Sequence, residues 1–162
     1  MRSRMNRFFL MFLLLISHLF SSAGNKITCE LEMAEVGKAG NLVVKVWSYS
    51  KSPRISDSEV IRNAIYGVCF NGVSANKDRR INGVKALVVD GYEAHKDYFD
   101  EFLKSPDISR FATLGLDGYV EQGDVIKIKK TYKIGHVVVI NLSELRKKLE
   151  ADNIIKGLDY GF

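Results

Sequence analysis

The sequence predicts an α+β domain, a largely antiparallel sheet with about three helices packed on it. Three observations lead there. Residues 27–36 alternate between apolar and polar, and a turn bounded by Gly37 and Gly40 feeds directly into the strand-type run 42–50, which reads as a hairpin. Val60, Ile61, Ala64, Ile65, Val68 and Cys69 then recur at helical spacing. The second half offers a long β-type region up to Leu142, followed by a helical stretch over 143–152. Short hairpin connections mixed with helices argue for helices on an antiparallel sheet.

In the first strand, Ile27, Cys29, Leu31 and Met33 share one face and Thr28, Glu30 and Glu32 the other. That is the pattern of a half-buried strand. The second strand carries Leu42, Val43, Val44, Val46 and Trp47, apolar on both faces, as an interior or doubly covered strand does. Ser52, Pro53 and Arg54 break it. Ser56 followed by Glu59 matches a capping box, in which each side chain bonds the other residue's backbone N–H. Asp57 and Glu59 suit the positive end of the helix dipole, and Asn71-Gly72 supplies a stop.

Residues 73–83 carry Lys77, Asp78, Arg79 and Arg80 and read as a mobile, exposed loop. A short strand is predicted at 84–89. The next helix spans 93–104, with Tyr98, Phe99, Phe102 and Leu103 on one stripe and Ser105-Pro106 at its end. A further strand begins within 109–113. Gly123-Asp124 is a turn. Residues 125–134 read as one strand, with Gly135 permitting a bend or bulge before the buried strand 136–142. In the last helix Leu145 and Leu149 fall four apart, and the tail 154–162 is apolar enough to dock on the body.

The 162 residues suggest one domain, once residues 1–24 are set aside. Arg2, Arg4 and Arg7 form a positive start, residues 8–20 an apolar core broken only by Ser17 and His18, and Ser21-Ser22-Ala23-Gly24 the small residues a signal peptidase needs. The apolar core falls short of the roughly 20 residues of a membrane-spanning helix. These features predict a secretory signal over 1–24, a single domain over 25–162, and an exported protein that is periplasmic or associated with the outer envelope, with no transmembrane segment after cleavage. Cys29 raises lipidation as a rival, but Lys26 stands three places before it, where lipoprotein signals carry an aliphatic residue. The leader holds three positive charges and no acid, so the net charge of +5 falls to +2 without it. That is too weak for a nucleic-acid binder.

Both cysteines, Cys29 and Cys69, lie after the leader on core-facing positions. Export permits a disulfide between them. Two buried free thiols are the alternative, and the fold does not need a bridge.

No stretch carries a catalytic or cofactor signature. The chain has no G-x-G-x-x-G, phosphate-binding loop or G-x-S-x-G element, so nucleotide binding and serine hydrolysis lack their usual signals. Neither the histidines nor the cysteines come at zinc-site spacing, and no cofactor is expected. His95 and Asp97 are two apart on a helix and do not share a face. Cys69 sits between Val68 and Phe70, as a buried and inert thiol does. Glu30 and Glu32 share a strand face, but read better as its wet side. Lys127, Lys129 and Lys133 project together from the strand 125–134 and could meet an acidic partner, although a solvated sheet face or a charged edge guarding against aggregation explains them better. Tyr160 and Phe162 end the chain in an alternating aromatic run suited to docking or to a partner.

The stretch from Val43 to Tyr49, followed by Ser58-Glu59-Val60-Ile61-Arg62-Asn63-Ala64-Ile65-Tyr66-Gly67-Val68, resembles the N-terminal domain of flagellar assembly protein T and related envelope lipoprotein domains. The whole chain is similar to small secreted proteins of Bacteroides-like bacteria, above all over 133–162. The first resemblance implies a strand leading into a helix packed on a sheet, and a role in building or lining envelope assemblies. Ile61 and Ile65 depart from it, standing where that family has small residues. It implies no catalytic residues.

These readings make the protein a non-enzymatic, exported binding or assembly module of the bacterial cell envelope, with an envelope protein as partner and Lys127, Lys129, Lys133, Tyr160 and Phe162 as candidate contacts. Two rivals stand beside it. One is a periplasmic small-ligand binder with a pocket lined by Trp47, Tyr49 and the Tyr98, Phe99 and Phe102 stripe. The other is an enzyme built on Asp90, His95 and His136. The oligomeric state is not legible.

Overall fold

A computed structural model describes residues 27–38, 40–115 and 118–157. The expected leader at 1–24 and the tail residues Tyr160 and Phe162 lie outside the described residues. The elements are β1 (Cys29–Glu35), β2 (Asn41–Ser50), α1 (Asp57–Tyr66), α2 (Lys96–Phe102), β3 (Ala112–Leu114), β4 (Val125–Ile128), β5 (Thr131–Asn141) and α3 (Leu142–Ala151). The class is α+β.

The sheet runs β1-β2-β5-β3, and β4 also pairs with β5, beside the opposite end from β3. Every strand pair is antiparallel. Alternation sorts the side chains onto two faces. Cys29, Leu31 and Met33 of β1, Leu42, Val44, Val46 and Ser48 of β2, and Ile134, His136, Val138 and Ile140 of β5 are buried on one face. The helices cover it. Val60, Ala64 and Ile65 of α1, Phe99 of α2, and Leu145 and Leu149 of α3 are fully buried. β2 is interior, as its doubly apolar pattern predicts.

The predicted helix ends are in place. Ser56 Oγ accepts from the N–H of Glu59 at 3.4 Å, and Gly72 ends the helical path with a φ of 74°. Before that stop the helix widens into a π-turn over Gly67–Asn71. Carbonyls at the end of a helix lack intrahelical partners. Here those of Val68 and Cys69 accept from the N–H groups of Leu87 and Val88. Phe70, Phe99 and Phe102 then join Tyr66, Tyr92, Tyr98 and Phe111 in one aromatic network.

Four local expectations need correction. Residues 125–134 are not one strand. A two-residue turn at Lys129-Lys130 splits them into β4 and β5, and Lys129 takes the positive φ of 55° that such a loop demands. The reversal exchanges the faces: Lys133 lies opposite Ile126 and Lys127 opposite Tyr132. Lys127 and Lys133 therefore stand on opposite sides of the sheet, with Lys129 at the tip. Next, residues 73–83 are not a free loop. Ser74 exchanges backbone hydrogen bonds with Leu31 and Met33, Asn76 Nδ2 donates to Met33 O, and Arg79 donates to Ala34 O. The segment seals the outer edge of β1. Third, the predicted strand at 84–89 makes only an isolated bridge, Val84 to Val73. Fourth, Gly135 makes no bulge. β2 and β5 pair without interruption from Asn41 and Asn141 to Ser50 and Tyr132, and the irregularity lies in β1, between Met33 and Glu35.

Candidate binding face of the sheet

Among the described residues no α-helix packs on the second face of the sheet; the 3-10 turn Gln122–Asp124 reaches it, through Asp124 and Lys45. Its rows follow from the register. Tyr49 lies opposite Lys133, Trp47 opposite Gly135, Lys45 opposite Val137 and Val43 opposite Val139, while Glu30 and Glu32 of β1 flank Trp47 and Lys45. β2 is apolar on both faces because its odd positions face this side. A groove of about 460 Å³ opens here, floored by Val43, Trp47, Val137 and Val139. Glu32, Glu35, Lys45, Arg79 and Glu121 rim it, so acids outnumber bases three to two.

Trp47 sits between two ammonium groups. Lys133 Nζ is 5.0 Å and Lys45 Nζ 5.5 Å from its ring centroid. Each lysine is held by a carboxylate. Lys133 Nζ is 2.7 Å from Glu30 Oε2, and Tyr49 OH donates to Glu30 Oε1 at 2.6 Å. Lys45 Nζ donates to Asp124 Oδ1 at 3.0 Å and is 2.8 Å from Oδ2. The hydrogen bond from Lys133, then that from Tyr49, holds the Glu30 carboxyl below its ordinary range. The same contact with Glu30 raises the pKa of Lys133 and of Tyr49. Glu30 and Lys133 are thereby held in their ionised forms, as a fixed recognition surface needs and a proton-transfer site does not.

The sequence-predicted residues are scattered. Of the three lysines, only Lys133 reaches the groove face. The aromatic-lined pocket is divided by the sheet itself. Trp47 and Tyr49 lie on the bare face, whereas Tyr98, Phe99 and Phe102 pack against one another among the helices. Asp90, His95 and His136 do not converge. His95 Nε2 pairs with Asp90 at 2.8 Å, but His136 is buried, and the carboxylates nearest in influence are Asp57 and Asp124. Burial holds the His136 pKa below its usual value. Glu30 is engaged with Lys133 and Tyr49, and Glu32 lines the groove. Cys29 and Cys69 are free and buried; Cys29 Sγ donates to Asn63 O at 3.3 Å.

The sequence reading missed Lys45, Asp124, Val137 and Val139. The odd positions of β2 carried the signal, a second apolar stripe with a lysine inside it. A larger depression of about 780 Å³ lies over Asp97, Asp100, Glu101, Lys104 and Ser105, but no apolar side chain lines it. Among the described residues no three His, Cys, Asp or Glu side chains are placed to hold a metal ion, and no helix is long and apolar enough to cross a membrane. Comparison with protein-family models, with curated proteins and with solved structures finds no match.

Proposed function

We propose that this chain is an exported binding module of the bacterial cell envelope, periplasmic or associated with the outer envelope, and that it works by binding rather than by catalysis. Its working surface is the face of the sheet turned away from the α-helices, and its partner is another envelope protein. The observation that carries this reading is the groove floored by Val43, Trp47, Val137 and Val139. An apolar floor with a charged rim is the composition of a recognition surface. The leader-like residues 1–24 support export. The Glu30–Lys133 pair beside Trp47 supports binding, since each group holds the other in its ionised form.

The test is a crosslinked pull-down of the tagged protein from its native envelope, beside the variant Val139→Glu. Val139 is only half-buried, so the variant is expected to keep its circular dichroism spectrum. A reproducible partner recovered with the wild type and lost with V139E supports the reading. A partner retained by V139E removes the groove from the interface.

A second reading places a small ligand in the same groove, favoured by Trp47 at its floor. Trp47 is the chain's only tryptophan, so its fluorescence reports this face alone. A saturable change on titration with cell-wall oligosaccharides, abolished by V139E, would favour it over a protein partner.

A further inference from the structure

The two edges of the sheet are finished differently. The β1 edge is closed by Ser74, Asn76 and Arg79, with Asn71 Nδ2 donating to Cys29 O at its end. The β4 edge is bare. β4 pairs with β5 on one side, and among the described residues nothing pairs with its other side. Its four residues, Val125–Ile128, are all exposed. Six large apolar side chains stand exposed among the described residues, and four fall between positions 119 and 128: Tyr119 at 64%, Val125 at 37%, Ile126 at 44% and Ile128 at 42%. Exposed apolar side chains scattered singly need no explanation, but three of the four residues of an open edge strand do.

The hairpin itself carries charge of one sign. Residues 125–133 hold four lysines and no acid. Lys133 is paired with Glu30. Lys127 lies over the Tyr132 ring at 5.9 Å, and none of the ion pairs among the described residues uses Lys127, Lys129 or Lys130. A single lysine on an edge strand guards against pairing. Lys127 on the strand, with Lys129 and Lys130 in its turn, repels a second basic strand and attracts an acidic one, so the guard is selective.

We propose that the free edge of β4 is a strand-addition site for an extended segment of another protein, one in which acidic residues alternate with aliphatic ones. The segment aligns along Val125–Ile128 and takes backbone hydrogen bonds from the open side of the strand. Its aliphatic side chains meet Ile126 and Ile128 on the groove face, and its carboxylates meet Lys127 on the other. The open backbone favours a peptide over an anionic lipid surface, which has no use for a row of N–H and C=O groups. The lysines favour an acidic peptide over a second copy of this basic hairpin. The inference is independent of the Trp47 groove.

The probe is a synthetic peptide alternating Glu and Val, with a Lys-Val peptide as control, titrated into isotope-labelled purified protein by NMR. The expected result is amide shift changes and slowed hydrogen exchange confined to 125–128 on addition of the acidic peptide, weakening as salt is raised. Lys127→Glu should lower the affinity about fivefold, the size of one cross-strand charge pair. Ile126→Lys, at a site exposed enough to fold normally, should abolish binding, while V139E leaves it unchanged. Equal binding of the lysine peptide, or no binding of either, overturns the proposal. So does protection of 125–128 that grows with protein concentration alone, or binding to phosphatidylglycerol vesicles by protein indifferent to the acidic peptide.

Discussion

Trp47 faces Gly135 directly across β2 and β5, and its indole lies over that glycine. A Cβ added at Gly135 would stand 2.9 Å from Cζ3 of the ring and 3.1 Å from two more of its carbons. An aromatic ring laid on a glycine of the neighbouring strand replaces the side chain that strand lacks. Gly135 is therefore room for the indole rather than a hinge. Gly135→Ala forces the ring to move, and overpacking of this kind costs about 1–3 kcal/mol. Urea unfolding should show that loss, with an altered emission maximum in the folded state. Placed on a Trp47→Ala background, the same change should cost almost nothing. An unaltered midpoint for Gly135→Ala alone would show that the ring does not rest there.

Ser48 and Asn63 form a buried polar pair beneath the sheet. Asn63 Nδ2 donates to Ser48 Oγ at 2.9 Å, and both residues are buried. Ser48→Ala strands the amide in an apolar core, which costs about 1–3 kcal/mol. Replacing both partners, as Ser48→Ala with Asn63→Leu, should recover much of that loss. Denaturant midpoints of the two singles and the double give the coupling; strict additivity would mean the hydrogen bond contributes nothing.

His136 should make stability fall in mild acid. It is buried opposite Val46, and its Nδ1 has no hydrogen-bond partner among the described residues. Burial lowers its folded pKa from an ordinary value of 6.5, while Asp57 and Asp124 pull the other way. Below about pH 6.5 the unfolded chain binds this proton and the folded chain resists it. The contribution is complete above that pH and is lost as pH falls toward the lower folded value. His136→Leu should flatten this limb, read as the difference in urea midpoint between pH 7.5 and pH 5.5. An identical slope in the variant would assign the acid sensitivity elsewhere.

The two cysteines should resist thiol reagents until the chain unfolds. Burial pushes Cys29 up to about 12 and raises Cys69 as well, so neither offers a thiolate near neutral pH. Ellman's reagent should react slowly with the native protein and release two thiols per chain in denaturant. A crosslinked peptide joining Cys29 to Cys69, found by mass spectrometry without reductant, would contradict the free-thiol state.

Local order along this chain decided its elements, and tertiary pairing decided their meaning. The strands at 29–35 and 41–50, the capped helix from Ser56 to its stop at Gly72, and the helix with Leu145 and Leu149 were legible because periodicity and caps are properties of neighbouring residues. The α+β class followed from their order. Long-range partners were not legible. Ser74 closes the β1 edge through backbone groups, which every residue carries and no side-chain pattern reveals. Lys127 and Lys133 look alike along the chain, yet a two-residue turn puts them on opposite faces. Asp124 becomes the partner of Lys45 from 79 positions away. The candidate site is a whole face of the sheet, and only the register of β1, β2 and β5 assembles its rows. Alternation and helical spacing could be read from neighbouring residues, except where a turn as short as Lys129-Lys130 hides inside an alternating run. The tertiary structure alone decided which side of the sheet the helices leave bare, because that depends on which of two apolar stripes on β2 the helices bury.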